Sequence, residues 1–202
     1  MTRRHRSTRV GVYPGSFNPP TIAHVAVADA ARRRFDLDRV ELVHSRRVLG
    51  KDVVERPLWR HRVAVLEAVA AEEPWLAAGV TDERLLADIA EGYDVVIMGA
   101  DKWYQIHELQ WYDDDPAVRD ATLARLPQVA VAPRPPLEVP DDIVLDLPLE
   151  LVTGISSTEA RAGRVELMAP AARAFAERTG AWVDPERYER HLADEAAGPA
   201  TA

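Results

Sequence analysis

The chain of 202 residues contains no cysteine, which excludes disulfides, zinc–cysteine sites, iron–sulfur clusters and thiol nucleophiles. It has no apolar run near the ~18 residues that a membrane-spanning helix needs, and its basic N-terminus lacks the apolar segment of a secretory signal. The net charge is −8, whereas general nucleic-acid binding leaves a basic footprint. We therefore expect a cytoplasmic protein with no nucleic-acid or membrane partner.

Several common catalytic motifs are also missing. No Gly-x-Gly-x-x-Gly follows the first predicted strand, and neither a Walker A lysine motif nor a Gly-x-Ser-x-Gly elbow occurs. The six histidines show no spacing typical of metal ligands, so we expect no metal ion held by protein side chains. With 47% hydrophobic and 29% charged residues, the composition is that of an ordinary globular protein.

The order of the predicted elements indicates an α/β protein, because short apolar runs alternate with longer helical patterns. Strands are predicted at 10–13, 40–43, 95–98 and 129–132, with a further strand at 143–147 or 150–152. Helices are predicted at 22–34, 57–71, 81–90 and 116–126, from 157, at 170–180 and from 185. We expect a Rossmann-like, doubly wound, mostly parallel sheet with a small helical C-terminal portion. A single domain would cover 9–192, between flexible tails at 1–8 and 193–202.

The first distinctive motif covers residues 14–24, Pro-Gly-Ser-Phe-Asn-Pro-Pro-Thr-Ile-Ala-His, and joins the first strand to the first helix. If Thr21 is the N-cap, His24 is the third helical residue, and both side chains point the same way at the positive end of the helix. Gly15 permits a close approach to the backbone. Open α/β folds bind ligands at such junctions. Taken alone, however, Thr-x-x-His is more often a plain helix cap.

The second motif covers residues 155–161, Ile-Ser-Ser-Thr-Glu-Ala-Arg. The Ser-x-x-Glu spacing at Ser156 is a capping box that predicts a helix start at Ser157. The first-turn amides of Ser157 and Thr158 can meet an anion, and Arg161, one turn further on the same face, can hold a phosphate. The plain alternative for this segment alone is a well-capped surface helix with a solvated arginine.

Charged residues between these motifs suggest where a second substrate binds. A cluster of positive charge follows the second strand and consists of Arg46, Arg47, Lys51, Arg60 and Arg62. Such a cluster suits a phosphorylated substrate. The simpler interpretation is a solvated basic loop. Just after the 95–98 strand, Asp101 can accept hydrogen bonds from ribose hydroxyls. Gly99 has no side chain and leaves space for a ligand beside the strand end. The alternative interpretation of residues 98–101 is a plain turn.

Together the two motifs resemble the signature of the nucleotidylyltransferase superfamily. Its members carry His-x-Gly-His or Thr-x-x-His after Gly-x-Phe-Asp/Asn-Pro, and Ile-Ser-Ser-Thr-x-x-Arg near the C-terminal end. Ala23 stands where the family most often has glycine. The resemblance implies catalytic roles for Thr21, His24 and Arg161. It implies ATP binding by Gly15, Ser16, Phe17, Ala23, Gly99, Asp101, Ile155, Ser156, Ser157 and Thr158.

Within the superfamily, residues 9–183 are most similar to the bacterial nicotinate mononucleotide adenylyltransferase branch. This resemblance implies that Lys51, Arg62 and Arg134 contact the acceptor and that Trp111, ten residues after Asp101, stacks on its ring. The branch normally carries a Ser-Tyr-Thr segment before the Gly-x-Asp strand, which the residues at 80–87 lack.

The implied reaction transfers AMP from ATP to nicotinate or nicotinamide mononucleotide, releases pyrophosphate and belongs to NAD biosynthesis. Mg²⁺ would be held mainly by the triphosphate, since no carboxylate cage is visible in the sequence. Three alternatives stay open: a cytidylyltransferase, a pantetheine-phosphate-type adenylyltransferase, and a nucleotide-binding protein without catalysis. Formation of a homo-oligomer also stays open.

Overall fold

A computed structural model describes residues 8–46 and 55–197. Its sheet has five strands in the order β3-β2-β1-β4-β5, and each neighbouring pair is parallel. The strands are β1 Val10–Gly15, β2 Arg39–Ser45, β3 Leu76–Thr81, β4 Val95–Gly99 and β5 Gln128–Ala132. The strand order changes direction between β1 and β4, and the carboxyl ends of strands at such a point form a ligand crevice. The predicted α/β class and parallel sheet are confirmed.

Nine α-helices connect and cover the strands in the described part of the chain. They are α1 Ile22–Arg34, α2 Trp59–Ala70, α3 Leu86–Ile89, α4 Ala100–Gln105, α5 Pro116–Leu123, α6 Leu149–Thr153, α7 Ser157–Arg161, α8 Pro170–Thr179 and α9 Pro185–Ala197. Helix α1 has the predicted bounds, and α9 continues past residue 192 to Ala197. Within 8–46 and 55–197, no helix has both the length and the apolar character needed to cross a membrane.

Two predicted elements were wrong. The segment 81–90 is not one helix, because β3 ends at Thr81 and the helix is limited to Leu86–Ile89. The β3 sequence Leu-Ala-Ala-Gly-Val-Thr has little intrinsic strand preference, so its pairing with β2 forms it. The strand expected at 143–147 or 150–152 is also absent from this described region. Val144 makes an isolated bridge to Val131, and 149–153 forms α6.

Apolar side chains cover both faces of the sheet, as expected for a doubly wound fold. All four of the β4 residues at 95–98 are buried. One core cluster joins the sheet to α1 and α2, and a second joins the other face to α3 and α4. A third cluster packs α7 and α8 against α2, which fixes the helical C-terminal portion beside the sheet. This packing decides where the second motif lies.

Candidate functional site

The first motif forms a loop from the end of β1 to the start of α1. Thr21 is the N-cap of α1 and is completely buried, and His24 is the third helical residue, as predicted. The backbone N–H of Thr21 donates to Nδ1 of His24 at 2.9 Å, and the Thr21 hydroxyl lies 2.7 Å from the same nitrogen. Because Nδ1 accepts a backbone N–H, the proton of the neutral ring resides on Nε2. His24 therefore presents an N–H donor.

The structure shows a packing role for Gly15, beside the predicted close approach of a ligand to its backbone. The ring of Phe17 occupies the space beside it, and a Cβ built on Gly15 would lie 2.9 Å from Phe17 Cζ. Phe17 is buried, and its ring contacts Tyr13 and His24 edge-on, with centroid separations of 5.7 and 5.1 Å. Gly15 thus makes room for an aromatic ring of the protein itself. Gly15 and Phe17 therefore both support the loop that joins β1 to α1.

The second motif lies directly against the first. Helix α7 begins at Ser157 behind the predicted N-cap, Ser156. The Ser157 hydroxyl donates to the carbonyl of Pro19 at 2.8 Å, and the Arg161 guanidinium donates to the carbonyl of Asn18. These partners are 138 and 143 positions apart in the chain. The two helix starts therefore face one another, as the hypothesis of a shared phosphate site requires.

A pocket of about 290 Å³ lies between the two motifs, at the lower end of the ~300–1,000 Å³ typical of ligand sites. It contains most of the residues that the sequence predicted for a nucleotide site. These are Ser16, Thr21, Ala23, His24, Gly99, Asp101, Arg134, Ile155, Ser156, Ser157, Thr158 and Arg161. Tyr13, Val27, Ala132, Pro133, Leu151 and Val152 also line the pocket and were not predicted. Leu151 and Val152 come from α6, which covers one of the two segments where a further strand was predicted.

Two charged residues stand at one side of the pocket, after β4 and β5. The Arg134 guanidinium lies 2.5 Å from the Asp101 carboxylate, and both side chains are more than half exposed, at 54% and 58%. Water screens such a pair, so it contributes little to stability and can rearrange around a ligand. Burial raises the pKa of the nearby Tyr13 to about 12, although Arg134 acts in the opposite direction. The Tyr13 phenol therefore stays protonated at neutral pH and is not a base.

A layer of buried polar residues holds the loop behind the pocket. Arg62, predicted to contact the acceptor, is buried on α2 and donates to the Ser16 carbonyl at 3.0 Å, and burial lowers its pKa to about 10. His44 donates from Nδ1 to the Gly15 carbonyl at 3.1 Å and stacks on Trp59 at 4.4 Å. Burial and the charge of Arg62 lower the pKa of His44 to about 4.

His44 and Trp59 were not predicted as site residues. The sequence signal for His44 is a histidine at the end of a strand whose other residues are mostly apolar, Val-Glu-Leu-Val-His. Such a histidine has no assignable partner until the fold is known. Its neutral ring and the buried Arg62 fix two consecutive carbonyls of the loop, which holds the loop backbone in place.

The predicted acceptor residues are only partly brought together in the described structure. Arg134 lines the pocket, whereas Arg62 lies behind it. Trp111 ends a 3-10 helix, Leu109–Trp111, and its indole N–H donates to the Glu108 carboxylate at 3.2 Å, outside the pocket lining. Lys51, together with Arg47, lies outside the described residues.

The pocket lining does not fit a metal ion held by the protein alone. Among the described residues that line it, Asp101 is the one carboxylate, and it already pairs with Arg134. Mg²⁺ usually enters nucleotide sites on one or two carboxylates together with substrate phosphates. A metal ion here would therefore arrive mainly as part of a phosphate ligand.

Curated relatives match parts of the chain. Proteins named probable nicotinate-nucleotide adenylyltransferase from Coprothermobacter proteolyticus and Lactococcus lactis are 29% and 32% identical to it, over 126 and 120 residues. These matches cover 56% and 50% of this chain and 64% and 62% of the relatives. A Bordetella pertussis protein of the same name is 37% identical over 70 residues, 35% of each chain. The chain thus spans less than two thirds of the length of these relatives.

A solved structure has a similar fold. Plasmodium falciparum nicotinic acid mononucleotide adenylyltransferase complexed with APC superimposes with a TM-score of 0.61 at 15% identity, covering 87% of this chain and 97% of that one. The same Plasmodium protein complexed with NaAD gives a TM-score of 0.53. The model of the cytidylyltransferase-like family matches residues 12–163, which include both motifs and the pocket between them. The chain belongs to the cytidylyltransferase-like family.

Proposed function

We propose that the protein transfers AMP from ATP to nicotinate or nicotinamide mononucleotide and releases pyrophosphate. The observation that carries this proposal is the meeting of two helix starts, fastened by the Ser157–Pro19 and Arg161–Asn18 hydrogen bonds, around one pocket. Two sets of first-turn amides that face one cavity suit a polyanion. The names of the curated relatives and the NaAD complex of the Plasmodium protein support the choice of acceptor.

The chemistry needs no nucleophile from the protein. An oxygen of the acceptor's phosphate attacks the α-phosphorus of ATP in line and forms a new P–O bond. The bond between the α-phosphorus and the oxygen that bridges it to the β-phosphorus breaks, and pyrophosphate leaves. Positioning and charge stabilisation then supply most of the catalysis. His24 donates from Nε2 to the α-phosphate oxygens as negative charge accumulates, and Thr21 fixes the ring from its Nδ1 side.

The start of α7 holds the departing pyrophosphate. The backbone N–H groups of Ser157 and Thr158 point out of the first turn, and Arg161 adds a positive charge one turn later. The Arg161 guanidinium is also 3.2 Å from the Thr158 hydroxyl, and it donates to the Asn18 carbonyl. It is therefore oriented before a ligand binds, which lowers the entropic cost of binding.

The remaining walls fit the other parts of the two substrates. The apolar side chains of Val27, Leu151 and Val152 suit a nucleoside base, while Asp101 suits ribose hydroxyls. Arg134 then orients the acceptor phosphate, with Lys51 assigned to the same task from the family resemblance. ATP enters as its Mg²⁺ complex, because the pocket lacks a carboxylate cage.

Pyrophosphate release across a matrix of substrates tests the proposal. ATP and CTP are each combined with nicotinate mononucleotide, nicotinamide mononucleotide and phosphopantetheine. We expect turnover with ATP and a pyridine mononucleotide, and a raised KM for ATP in Arg161→Ala. The exposed Arg173, paired with Glu177 on α8, gives a control variant, Arg173→Ala, with unchanged turnover.

Other outcomes of the matrix identify the rival functions. Turnover with CTP alone or with phosphopantetheine alone would replace the proposed reaction by another nucleotidyl transfer. Calorimetric binding of ATP without turnover in any combination would indicate a nucleotide-binding protein that is not an enzyme.

A further inference from the structure

Three side chains that commonly bind metals converge outside the pocket lining. His61 on α2 and His191 and Glu195 on α9 offer ligand atoms that all lie within 4.8 Å of one another. His191 and Glu195 are four residues apart and share a face of α9. The histidine spacing in the sequence gave no sign of metal ligands, so no metal held by the protein was predicted. The fold, however, brings His61 next to residues about 130 positions away in the chain.

We propose that His61, His191 and Glu195 bind a divalent transition-metal ion of the Zn²⁺ class, which fastens α9 to α2. This site is separate from the proposed reaction and does not depend on it. Two imidazoles and a carboxylate suit Zn²⁺, whereas Mg²⁺ and Ca²⁺ prefer sites made of oxygen ligands. Three protein ligands leave a fourth position for water.

The distance between His61 and Glu195 fits such an ion. His61 Nε2 lies 3.3 Å from Glu195 Oε1 and 3.2 Å from Oε2. In a tetrahedral site with bonds of ~2.0–2.2 Å, neighbouring ligand atoms are roughly 3.3 Å apart. His191 is half-buried and its ring centroid is 5.7 Å from that of His61. The ligand atom of His191 lies within 4.8 Å of those of His61 and Glu195.

The surroundings of His61 hold its ring for this role. The ring is buried, and its Nδ1 lies 2.7 Å from the hydroxyl of Tyr188, which also accepts the N–H of Leu58 at 2.9 Å. Metal-bound histidines normally donate their second ring N–H to such an acceptor. With the proton on Nδ1, the Nε2 lone pair faces the Glu195 carboxylate and can bind a metal ion; with the proton on Nε2, Tyr188 donates to Nδ1 and Nε2 donates to Glu195. Binding of an ion selects the first arrangement.

Arg60 orients the carboxylate from its other side. Its guanidinium lies 2.7 Å from Glu195 Oε2, while both carboxylate oxygens stay within 3.3 Å of His61 Nε2. The sequence placed Arg60 in a positive cluster that suits a phosphorylated substrate or forms a solvated loop, and in the structure it contacts α9. A second ion pair between these elements, Arg56 with Glu189 at 2.6 Å, keeps α9 in register with the chain before α2. The ligands are thus brought together before any ion binds.

The test uses the full chain, stripped of metal with a chelator. Zn²⁺ is titrated by calorimetry, and Co²⁺ serves as a spectroscopic probe, since tetrahedral Co²⁺ absorbs visible light. We expect one ion per chain at this site and a rise in melting temperature with Zn²⁺. Both effects disappear in His191→Ala and in Glu195→Gln, which change partly exposed residues and leave the buried His61 in place.

The control is His107→Ala, which removes an exposed histidine whose Nδ1 lies 2.7 Å from the Trp103 carbonyl. It should bind Zn²⁺ as the unchanged protein does. Binding that survives in the His191→Ala, Glu195→Gln double variant would place the ion elsewhere and overturn the proposal. A protein that binds no Zn²⁺ would overturn it too.

Discussion

Replacing His24 separates its two roles, capping α1 and donating to phosphate. In His24→Glu the carboxylate can accept the Thr21 N–H, because a glutamate three residues after a threonine N-cap completes a capping box. The same change removes the Nε2–H donor and adds negative charge beside the phosphates. His24→Ala removes both the cap and the donor. Thr21 is completely buried, so the loss of its acceptor costs ~1–2 kcal/mol of stability.

The expected results differ between the two variants. His24→Ala should lower the free energy of unfolding by ~1–2 kcal/mol, and His24→Glu should leave it nearly unchanged. Both should lose at least ~10²–10³-fold in kcat, equivalent to ~2.7–4 kcal/mol of transition-state stabilisation. Urea unfolding and pyrophosphate release with ATP and nicotinate mononucleotide give the two quantities. Full kcat in His24→Ala would refute the donor role, and equal destabilisation of both variants would refute the capping role.

Three further predictions concern the pocket and the residues behind it. Arg161→Ala should raise the KM for ATP about 10–100-fold, since charged hydrogen bonds contribute ~1.5–3 kcal/mol, and initial-rate kinetics showing an unaltered KM would contradict this. Gly15→Ala should lower the free energy of unfolding by ~1–3 kcal/mol in a urea titration, because its Cβ would overlap the buried Phe17 ring; a stability equal to that of the unchanged protein would contradict this. His44 stays neutral in the fold down to about pH 4, while the unfolded chain protonates it near its usual value of 6.5. Stability should therefore be full above pH 6.5 and fall by up to ~3 kcal/mol toward pH 4, and His44→Phe should remove this part of the slope in urea titrations across that range.

The parts of the fold that could be predicted from the sequence are those with local signals. Helix α1 has the predicted bounds, and the capping residues Thr21 and Ser156 mark helix starts that the structure contains. The apolar β4 run predicted a buried central strand. Strand β3 could not be predicted, because alanine and glycine give no strand pattern and pairing with β2 is a long-range interaction.

The same distinction applies to the candidate site. The two motifs identified the part of the pocket that we propose binds phosphate, since each carries its own helix cap and charged residue. The supporting contacts of Arg62 and His44 join elements that only the fold brings together. For the same reason, the family resemblance implied a stacking role for Trp111 but not a location, and the structure places Trp111 outside the pocket lining.

The structure of the protein with a non-hydrolysable ATP analogue and Mg²⁺ tests the central claim most directly. We predict the α-phosphate within hydrogen-bond distance of His24 Nε2 and the β- and γ-phosphates on the Ser157 and Thr158 amides and the Arg161 guanidinium. A triphosphate that contacts one helix start while leaving the other, or that binds outside this pocket, would contradict the account.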